Sequence, residues 1–376
     1  MQKRSAEHDD VLPGAGAAQF STVHALRGLA ALWVVLFHAF SFRALAGSSL
    51  ESWPLLTRYL FEDGRGGVAI FFVISGFVIS HSLREAQVNL AFIGLFMARR
   101  SIRLDPPYWL SMIVVVTLGY ATARSQGTPF EPPGAATVVA HLLYLQELFR
   151  LPEILVVYWT LTYEIQFYLV LVLALWWYQA WRRRSNGAPM VAAIVPLGLG
   201  VAAFVAAAQN QEWVLHGLFL NYWHAFVAGC LAYVGGVRRH NSSALLLIPL
   251  AALMLFSAPG TAEVFNSPAA LTALFLLVVG RKRALSRGLN WHGWQMLGTI
   301  SYSLYLLHIP VIIVTTSILT RLLGRSEVTS PIILVGVVGS CVAAAGLFWR
   351  VVELPTHRLA KSFRVRRHAS SELEGQ

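Results

Sequence analysis

An arginine and a histidine lie eleven residues apart on one apolar segment, which places a guanidinium and a titratable ring on the same helix. The two residues are Arg27 and His38, within the apolar run at 25–42. Eleven helical steps of about 100° leave the side chains within roughly 20° of one face and about 16 Å apart along the axis. A titratable ring in hydrocarbon is costly and is typical of a functional site. The pair therefore predicts chemistry on this first helix.

Two further apolar segments carry ionisable groups at a similar predicted depth. Glu164 shares a helix face with Tyr168, four residues later, and His308 shares a face with Ser301 and Tyr305. Together with the histidine of the first segment, they form three ionisable groups at one level, which predicts a common polar cavity. For each group, the alternative is a purely structural hydrogen bond to a neighbouring helix.

A second cationic pair stands at the predicted cytoplasmic border of the membrane. Arg100 and Arg103 are three residues apart, so their side chains lie on one helix face. Together with Arg27 they suit an anion, and phosphate is the natural ligand because guanidinium groups bind it in a bidentate manner. The alternative is ordinary anchoring of basic residues to anionic lipid.

The composition identifies an integral membrane protein. Of the 376 residues, 56% are hydrophobic and 12% are charged, whereas a soluble domain carries about 25% charged residues. The formal net charge of +11 comes from short basic clusters between apolar runs, a pattern that indicates orientation in a membrane and not a nucleic-acid-binding surface. The two cysteines, Cys230 and Cys341, lie within apolar runs and are interpreted as core residues. We predict no metal site.

About ten apolar segments must position these residues. They lie at 24–42, 68–83, 107–122, 154–181, 190–208, 213–236, 243–257, 264–280, 296–320 and 330–349. With the N-terminus in the cytoplasm, most of the basic clusters between them fall on the cytoplasmic side, as the positive-inside rule requires. The sequence therefore predicts an all-α integral membrane bundle of about ten transmembrane helices with both termini cytoplasmic. The segments at 243–257 and 264–280 also allow one re-entrant pair.

Shorter features complete the predicted organisation. Residues 89–103 are predicted to form an interfacial helix on the cytoplasmic face, because an apolar stretch ends there in a basic cluster. Residues 136–149 are predicted to form a short helix on the outer face. The predicted domains are a cytoplasmic N-terminal tail at 1–22, a transmembrane domain at 23–355 and a basic cytoplasmic C-terminal tail at 356–376.

Six short motifs occur in order along the chain. They are Arg27 with His38, the Gly-Phe-x-x-Ser run ending at Ser80, the Arg-x-x-Arg pair, Trp159 through Tyr168, Ser301 through His308, and Glu353 with Pro355. On these motifs the chain resembles the bacterial membrane-bound acyltransferase-3 family of integral membrane O-acyltransferases. Two positions depart from the family pattern. Asp105 follows shortly after the Arg-x-x-Arg pair, and Ile165 follows Glu164 where many members have a second acid.

The resemblance implies that the transmembrane domain at 23–355 is an acyltransferase domain, with acyl-CoA, most often acetyl-CoA, as the donor co-substrate and no permanently bound cofactor. Arg27, Arg100 and Arg103 are expected to hold the nucleotide phosphates at the cytoplasmic surface. The pantetheine arm then runs up the bundle towards His38, which is expected to act as general base because burial keeps an imidazole neutral. The mechanistic rival is a covalent acyl-histidine that relays the acyl group outward.

The remaining predicted site residues assist the base. Glu164 or His308 is expected to orient the ring of His38 or to stabilise developing charge, and the sequence leaves both open. Lesser hydrogen-bonding candidates are Ser80, Ser301, Tyr302, Tyr305 and Tyr168.

The predicted activity is transfer of an acyl group from acyl-CoA to a hydroxyl of a surface or exported polysaccharide, or of its lipid-linked precursor. The predicted location is the bacterial inner membrane, crossed many times, with the glycan acceptor and membrane lipid as partners and no nucleic acid. One alternative keeps the enzyme and takes a secondary metabolite, such as a macrolide, as acceptor. Another is a proton-coupled transporter whose histidines and glutamate form a proton relay. The oligomeric state stays open.

Overall fold

The computed structural model describes residues 20–42, 44, 55–184, 217–256 and 261–362. Within these ranges the chain is helical and contains no strand, which confirms the predicted all-α class. The α-helices of these ranges are α1 (Ser21–Ser41), α2 (Leu55–Glu62), α3 (Arg65–Ser82), α4 (Leu90–Gln126), α5 (Ala135–Leu142), α6 (Trp159–Arg184), α7 (Trp223–Gly236), α8 (Asn241–Leu255), α9 (Thr261–Arg281), α10 (His292–Leu323), α11 (Thr329–Phe348) and α12 (Leu354–Ser362).

Six stretches in the described part of the chain are long and apolar enough to cross a membrane. They are Ser21–Ser41, Arg65–Ser82, Trp159–Arg182, Val264–Arg281, His292–Leu323 and Thr329–Ser362. The chain is therefore a multi-pass membrane protein. The predicted segment at 190–208 and most of both tails lie outside the described residues, so ten spans and cytoplasmic termini stay predictions.

Helix α4 runs through a boundary that the sequence analysis had placed within it. It has 37 residues and begins after Asn89, whose side chain accepts a hydrogen bond from the Phe92 amide at 2.8 Å. It ends before Gly127, whose φ is 67°. The predicted interfacial helix at 89–103 is thus the first part of a longer helix. Pro106 and Pro107 lie inside α4. Proline removes backbone hydrogen bonds and bends a helix, but it does not always end the helix.

Helices α1 and α10 run parallel and touch through two glycines. A Cβ atom at Gly28 would lie 2.6 Å from the Gly298 backbone nitrogen, and one at Gly298 would lie 2.3 Å from the His24 carbonyl oxygen. Neither space holds a side chain, so the backbones approach closely, as small residues allow in membrane helices. His38 and His308 each follow one of these glycines by ten residues, so this crossing brings the two histidines to one level.

Helix α3 packs at the centre of the bundle, antiparallel to α1 and parallel to α7. Gly76 of α3 and Gly229 of α7 form a second close crossing, where a Cβ atom would meet the facing helix backbone at 2.0 Å and 1.9 Å respectively. Next to this crossing the rings of Phe72, Phe226 and Phe167 stack in sequence, with centroids 4.4 Å and 4.1 Å apart. These contacts fix α3 between α1, α6 and α7.

The chain reaches α12 through one π-helical turn, Trp349–Glu353. Such turns insert an extra residue into the helical ladder and are frequent at functional sites. Helix α12 packs on α4, so the segment assigned to the C-terminal tail begins as a helix. On the opposite side of the molecule, α5 covers only the first part of the predicted helix at 136–149.

Candidate functional site

The two predicted intramembrane histidines contact each other. His38 Nδ1 lies 3.2 Å from His308 Nε2, and the ring centroids are 4.9 Å apart. His308 is completely buried, whereas His38 is partly accessible. Of the two candidate partners for His38, His308 therefore makes the contact. Glu164 hydrogen-bonds neither histidine within the described part of the chain.

Backbone carbonyls determine which ring nitrogens carry protons. His308 Nδ1 lies 2.7 Å from the Tyr305 carbonyl oxygen, which can only accept, so this nitrogen donates. In the neutral ring, His308 Nε2 is then an acceptor. His38 Nδ1 lies between that acceptor and the Val34 carbonyl oxygen, at 3.0 Å, and donates to both. The unprotonated nitrogen of a neutral His38 is therefore Nε2, which makes no hydrogen bond to any described residue and keeps its lone pair for a proton.

A cavity of about 820 Å³, a volume that includes its opening, lies between α1, α3, α4, α6 and α10. Its polar lining residues are Arg27, Ser75, Arg100, Arg103, Thr160, Glu164, Tyr168, Ser301, Tyr302 and Tyr305. The three predicted phosphate-binding arginines thus come together from two helices that are distant in sequence.

These guanidinium groups have few partners of their own. Arg27 and Arg100 make no hydrogen bond to a carboxylate within the described ranges, and the buried Nε of Arg100 has no partner there. The Arg100 guanidinium stacks over the Tyr168 ring, 4.1 Å from its centroid. Arg103 donates from Nε to His357 Nε2 at 2.7 Å. Three cations with unused donors in one cavity supply the charge and the hydrogen bonds that an anion requires.

Glu164 faces this cavity from α6. Its Oε1 accepts hydrogen bonds from Ser75, at 2.6 Å, and from Tyr168. The predicted single cavity for all three ionisable groups is therefore divided. Phe71 and Tyr305 line the arginine cavity, and Tyr305 also contacts the ring of His308, with centroids 5.7 Å apart. The histidine pair lies just beyond these two rings.

The lesser candidates fall into two groups. Ser301 donates to the Gly298 carbonyl at 2.9 Å, Tyr302 to the Leu104 carbonyl at 2.8 Å, and Tyr305 to the Val157 carbonyl at 3.0 Å, and all three line the cavity. Ser80 instead donates to the Gly76 carbonyl of its own helix at 2.9 Å and lies outside the cavity lining.

Beyond the histidine pair, the loop between α5 and α6 holds a separate acidic cluster. His141 accepts a hydrogen bond from the Ile154 amide at Nε2, 3.1 Å away, so its Nδ1 donates to the Thr137 carbonyl. Glu153 therefore approaches a neutral imidazole and not a cation, although the two side chains are only 3.2 Å apart. Burial, and then the hydrogen bond with Glu153, raise the pKa of Glu147.

Several contributors to the site were not predicted from the sequence. Ser75 ends a Phe-Phe-Val-Ile-Ser run, and this motif was its only signal. Phe71 begins the same run and had no other signal, and His357 gave none, because a histidine in a basic segment resembles an ordinary surface residue. Their roles follow from contacts between helices that are distant in sequence.

Comparison with known proteins gives matches along most of the chain. The acyltransferase-3 family model, described as an acyltransferase domain, matches residues 20–350. The exopolysaccharide production protein ExoZ of Rhizobium meliloti is 29% identical over 67% of this chain and 78% of its own length. Nodulation protein 10 of Rhizobium leguminosarum bv. viciae is 27% identical over 91% of this chain and 94% of its own. The peptidoglycan O-acetyltransferase OatA of Listeria monocytogenes is 24% identical over 90% of this chain and 56% of its own. No solved structure matches the chain significantly.

Proposed function

We propose that this chain transfers an acetyl group from acetyl-CoA to a polysaccharide hydroxyl. The chain belongs to the acyltransferase-3 family of membrane O-acyltransferases. The acceptor is a surface or exported polysaccharide or its lipid-linked precursor, and the enzyme works in the bacterial inner membrane. One observation carries this proposal: His38, whose Nε2 lone pair is unused, contacts His308, and His308 contacts Tyr305 in the wall of a cavity that three arginines line.

The donor assignment rests on charge. Acyl-CoA carries several phosphate charges at one end and a thioester at the other. Arg27, Arg100 and Arg103 offer guanidinium donors to the phosphates, and a partly enclosed cavity strengthens that attraction over its value in water. The thioester end then points past Phe71 and Tyr305 towards the histidine pair. These two rings define where the acyl group has to pass.

The chemistry assigned to His38 is general base catalysis. The acceptor hydroxyl gives its proton to His38 Nε2 while its oxygen bonds to the thioester carbonyl carbon. The carbon–sulfur bond then breaks, and the imidazolium returns the proton to the departing thiolate. His308 Nε2 accepts from His38 Nδ1 throughout, which keeps the base in the required tautomer.

The acceptor class rests on the relatives. ExoZ is named for exopolysaccharide production and OatA for O-acetylation of peptidoglycan, so both names connect this family to polysaccharides. A polysaccharide or a lipid-linked precursor reaches the outer end of the bundle, where α1 ends three residues after His38. This position supports an acceptor that approaches from the outer side.

The test uses purified protein, labelled acetyl-CoA and glycan extracted from a strain that lacks this chain. We expect wild type to transfer label to the glycan, His38→Ala to lose the transfer, and the exposed control His240→Ala to keep it. Normal transfer by His38→Ala at equal protein level contradicts the role of the base.

Three other outcomes contradict the acceptor, the class of activity or the direct transfer. If label appears on a secondary metabolite and never on glycan, the chain is an O-acyltransferase with a different acceptor. Solute flux without thioester turnover points to a proton-coupled transporter. Label that stays covalently on the protein when the acceptor is omitted, and is lost in His38→Ala, replaces direct transfer with an acyl-histidine.

A further inference from the structure

The C-terminal helix α12 contacts one of the cavity arginines. His357 of α12 accepts a hydrogen bond from Arg103 Nε of α4, with 2.7 Å between the two nitrogens. This short contact joins residues that are 254 positions apart in sequence. Hydrogen bonds that involve a charged group are stronger than neutral ones, so the contact fixes the guanidinium more firmly than packing alone.

The same contact determines the state of His357. An arginine is always protonated and can only donate, so His357 Nε2 carries no proton and the ring is neutral. Glu353 Oε1 lies 3.5 Å from the same nitrogen, but the two atoms are both acceptors and do not form a hydrogen bond with each other. The Glu353 carboxyl instead accepts from Ser303 at 2.6 Å, is almost fully buried, and lies beside the same His357 nitrogen that Arg103 contacts.

These contacts leave the two terminal amino groups of Arg103 available to a ligand. The guanidinium has one Nε–H and two terminal amino groups, and only Nε has a partner among the described residues. Arg103 also lines the cavity that holds Arg27 and Arg100. Fixing the inner nitrogen therefore aims the terminal donors at whatever anion the cavity binds. The π-helical turn that ends at Glu353 supplies the geometry, because it precedes α12 directly.

The geometry points to His357 as a positioning residue for the donor site. It acts through Arg103 and not on the reacting atoms, and it raises affinity for the phosphates of the acyl donor. This inference rests on the proposed function, in which Arg103 binds those phosphates. It gives α12 a role in binding the acyl donor, although the sequence assigned this segment to a tail.

The test measures KM and kcat with acetyl-CoA in proteoliposomes that contain the full chain. We expect His357→Leu to raise KM roughly tenfold and to change kcat by less than about twofold, because a charge-assisted hydrogen bond is lost. His357→Gln should restore most of the affinity, since its amide oxygen can accept from Arg103 Nε. Arg358→Ala, at the exposed next position of α12, is the matched control and should behave as wild type.

A second background separates positioning from a general effect on the fold. Methionine at position 103 has no N–H donor for His357, so in Arg103→Met the further change His357→Leu should leave KM unchanged. An equal loss in both backgrounds, or no rise in KM with His357→Leu, overturns the positioning role. If Arg27→Ala and Arg103→Ala both leave KM unchanged, the proposed donor site itself fails.

Discussion

The histidine pair sets a direction for proton transfer at the residue scale. A carbonyl of α10 fixes the proton of His308, the Val34 carbonyl and His308 together fix that of His38, and His38 Nε2 is left as the base. An acceptor at position 308 is one of the two groups that hold this order. Any replacement that can accept a hydrogen bond should preserve part of it, and an apolar replacement should not.

The first prediction concerns the acceptor at position 308. We expect His38→Gln to lower acetyl transfer at least about 100-fold, because the base is removed. His308→Leu should cause a smaller loss, and His308→Gln the least, since the glutamine oxygen can accept from His38 Nδ1. Initial rates of label transfer at saturating acetyl-CoA measure this order. A fully active His308→Leu would show that His38 needs no partner.

The second prediction concerns the anion site. Arg27→Ala should raise KM for acetyl-CoA roughly tenfold, because a guanidinium that binds phosphate is lost. With acetyl-pantetheine, a donor that lacks the nucleotide phosphates, wild type and Arg27→Ala should have the same KM. Arg124→Ala, an exposed arginine near the end of α4, is the matched control. A KM that rises equally for both donors would assign Arg27 to the fold instead.

At the scale of elements, the sequence predicted helices better than their contacts. The segments at 24–42 and 296–320 correspond to α1 and α10 within a few residues, because long apolar runs are a strong signal. The prediction of an interfacial helix at 89–103 and a separate apolar segment at 107–122 implies a boundary that α4 does not have. Helical periodicity shows which residues share a face, but it does not show which faces of distant helices meet.

The candidate site shows the same limit. The sequence singled out His38 and His308 separately and left the partner of His38 open between His308 and Glu164. His308 contacts His38 because α1 and α10 cross there, whereas Glu164 contacts Ser75 of α3. A single sequence contains neither of these arrangements. The arginines were grouped correctly because all three were expected at one membrane border, where charge is confined.

The third prediction tests the crossing that positions the histidines. Gly298→Ala should separate α1 from α10, because its Cβ would lie 2.3 Å from the His24 carbonyl oxygen, which belongs to backbone and cannot move aside alone. We expect a lower thermal unfolding temperature and a larger loss of acetyl transfer than of acetyl-CoA binding. Gly339→Ala on α11 is the matched control, since its Cβ meets nothing within 4 Å. Equal behaviour of the two variants would contradict the crossing.

At the scale of the whole molecule, helix directions follow a consistent pattern. Gly28 meets Gly298 and His38 meets His308, so α1 and α10 run the same way. Phe72 meets Trp159 of α6 and Phe226 of α7. Further along α3, Ser75 meets Glu164 and His81 meets Tyr233, which makes α6 and α7 parallel to α3. The arginine cavity therefore lies towards the end where α1 and α10 begin, and the histidine pair lies towards the end where α1 stops. The acyl donor and the glycan acceptor of the proposed reaction can then enter the bundle from opposite sides.

The last prediction tests which side of the membrane each end faces. We place Ser125, near the end of α4, and Ser326, in the loop before α11, on the outer side, and Ser286, in the loop before α10, in the cytoplasm, because the basic cluster at 281–283 precedes Ser286. Each exposed serine is changed singly to cysteine in a chain that also carries Cys230→Ala and Cys341→Ala. In intact spheroplasts, a membrane-impermeant maleimide should label positions 125 and 326 at once and position 286 only after lysis. Immediate labelling at 286, with protection at 125 and 326, would invert the bundle and place the arginine cavity away from cytoplasmic acetyl-CoA.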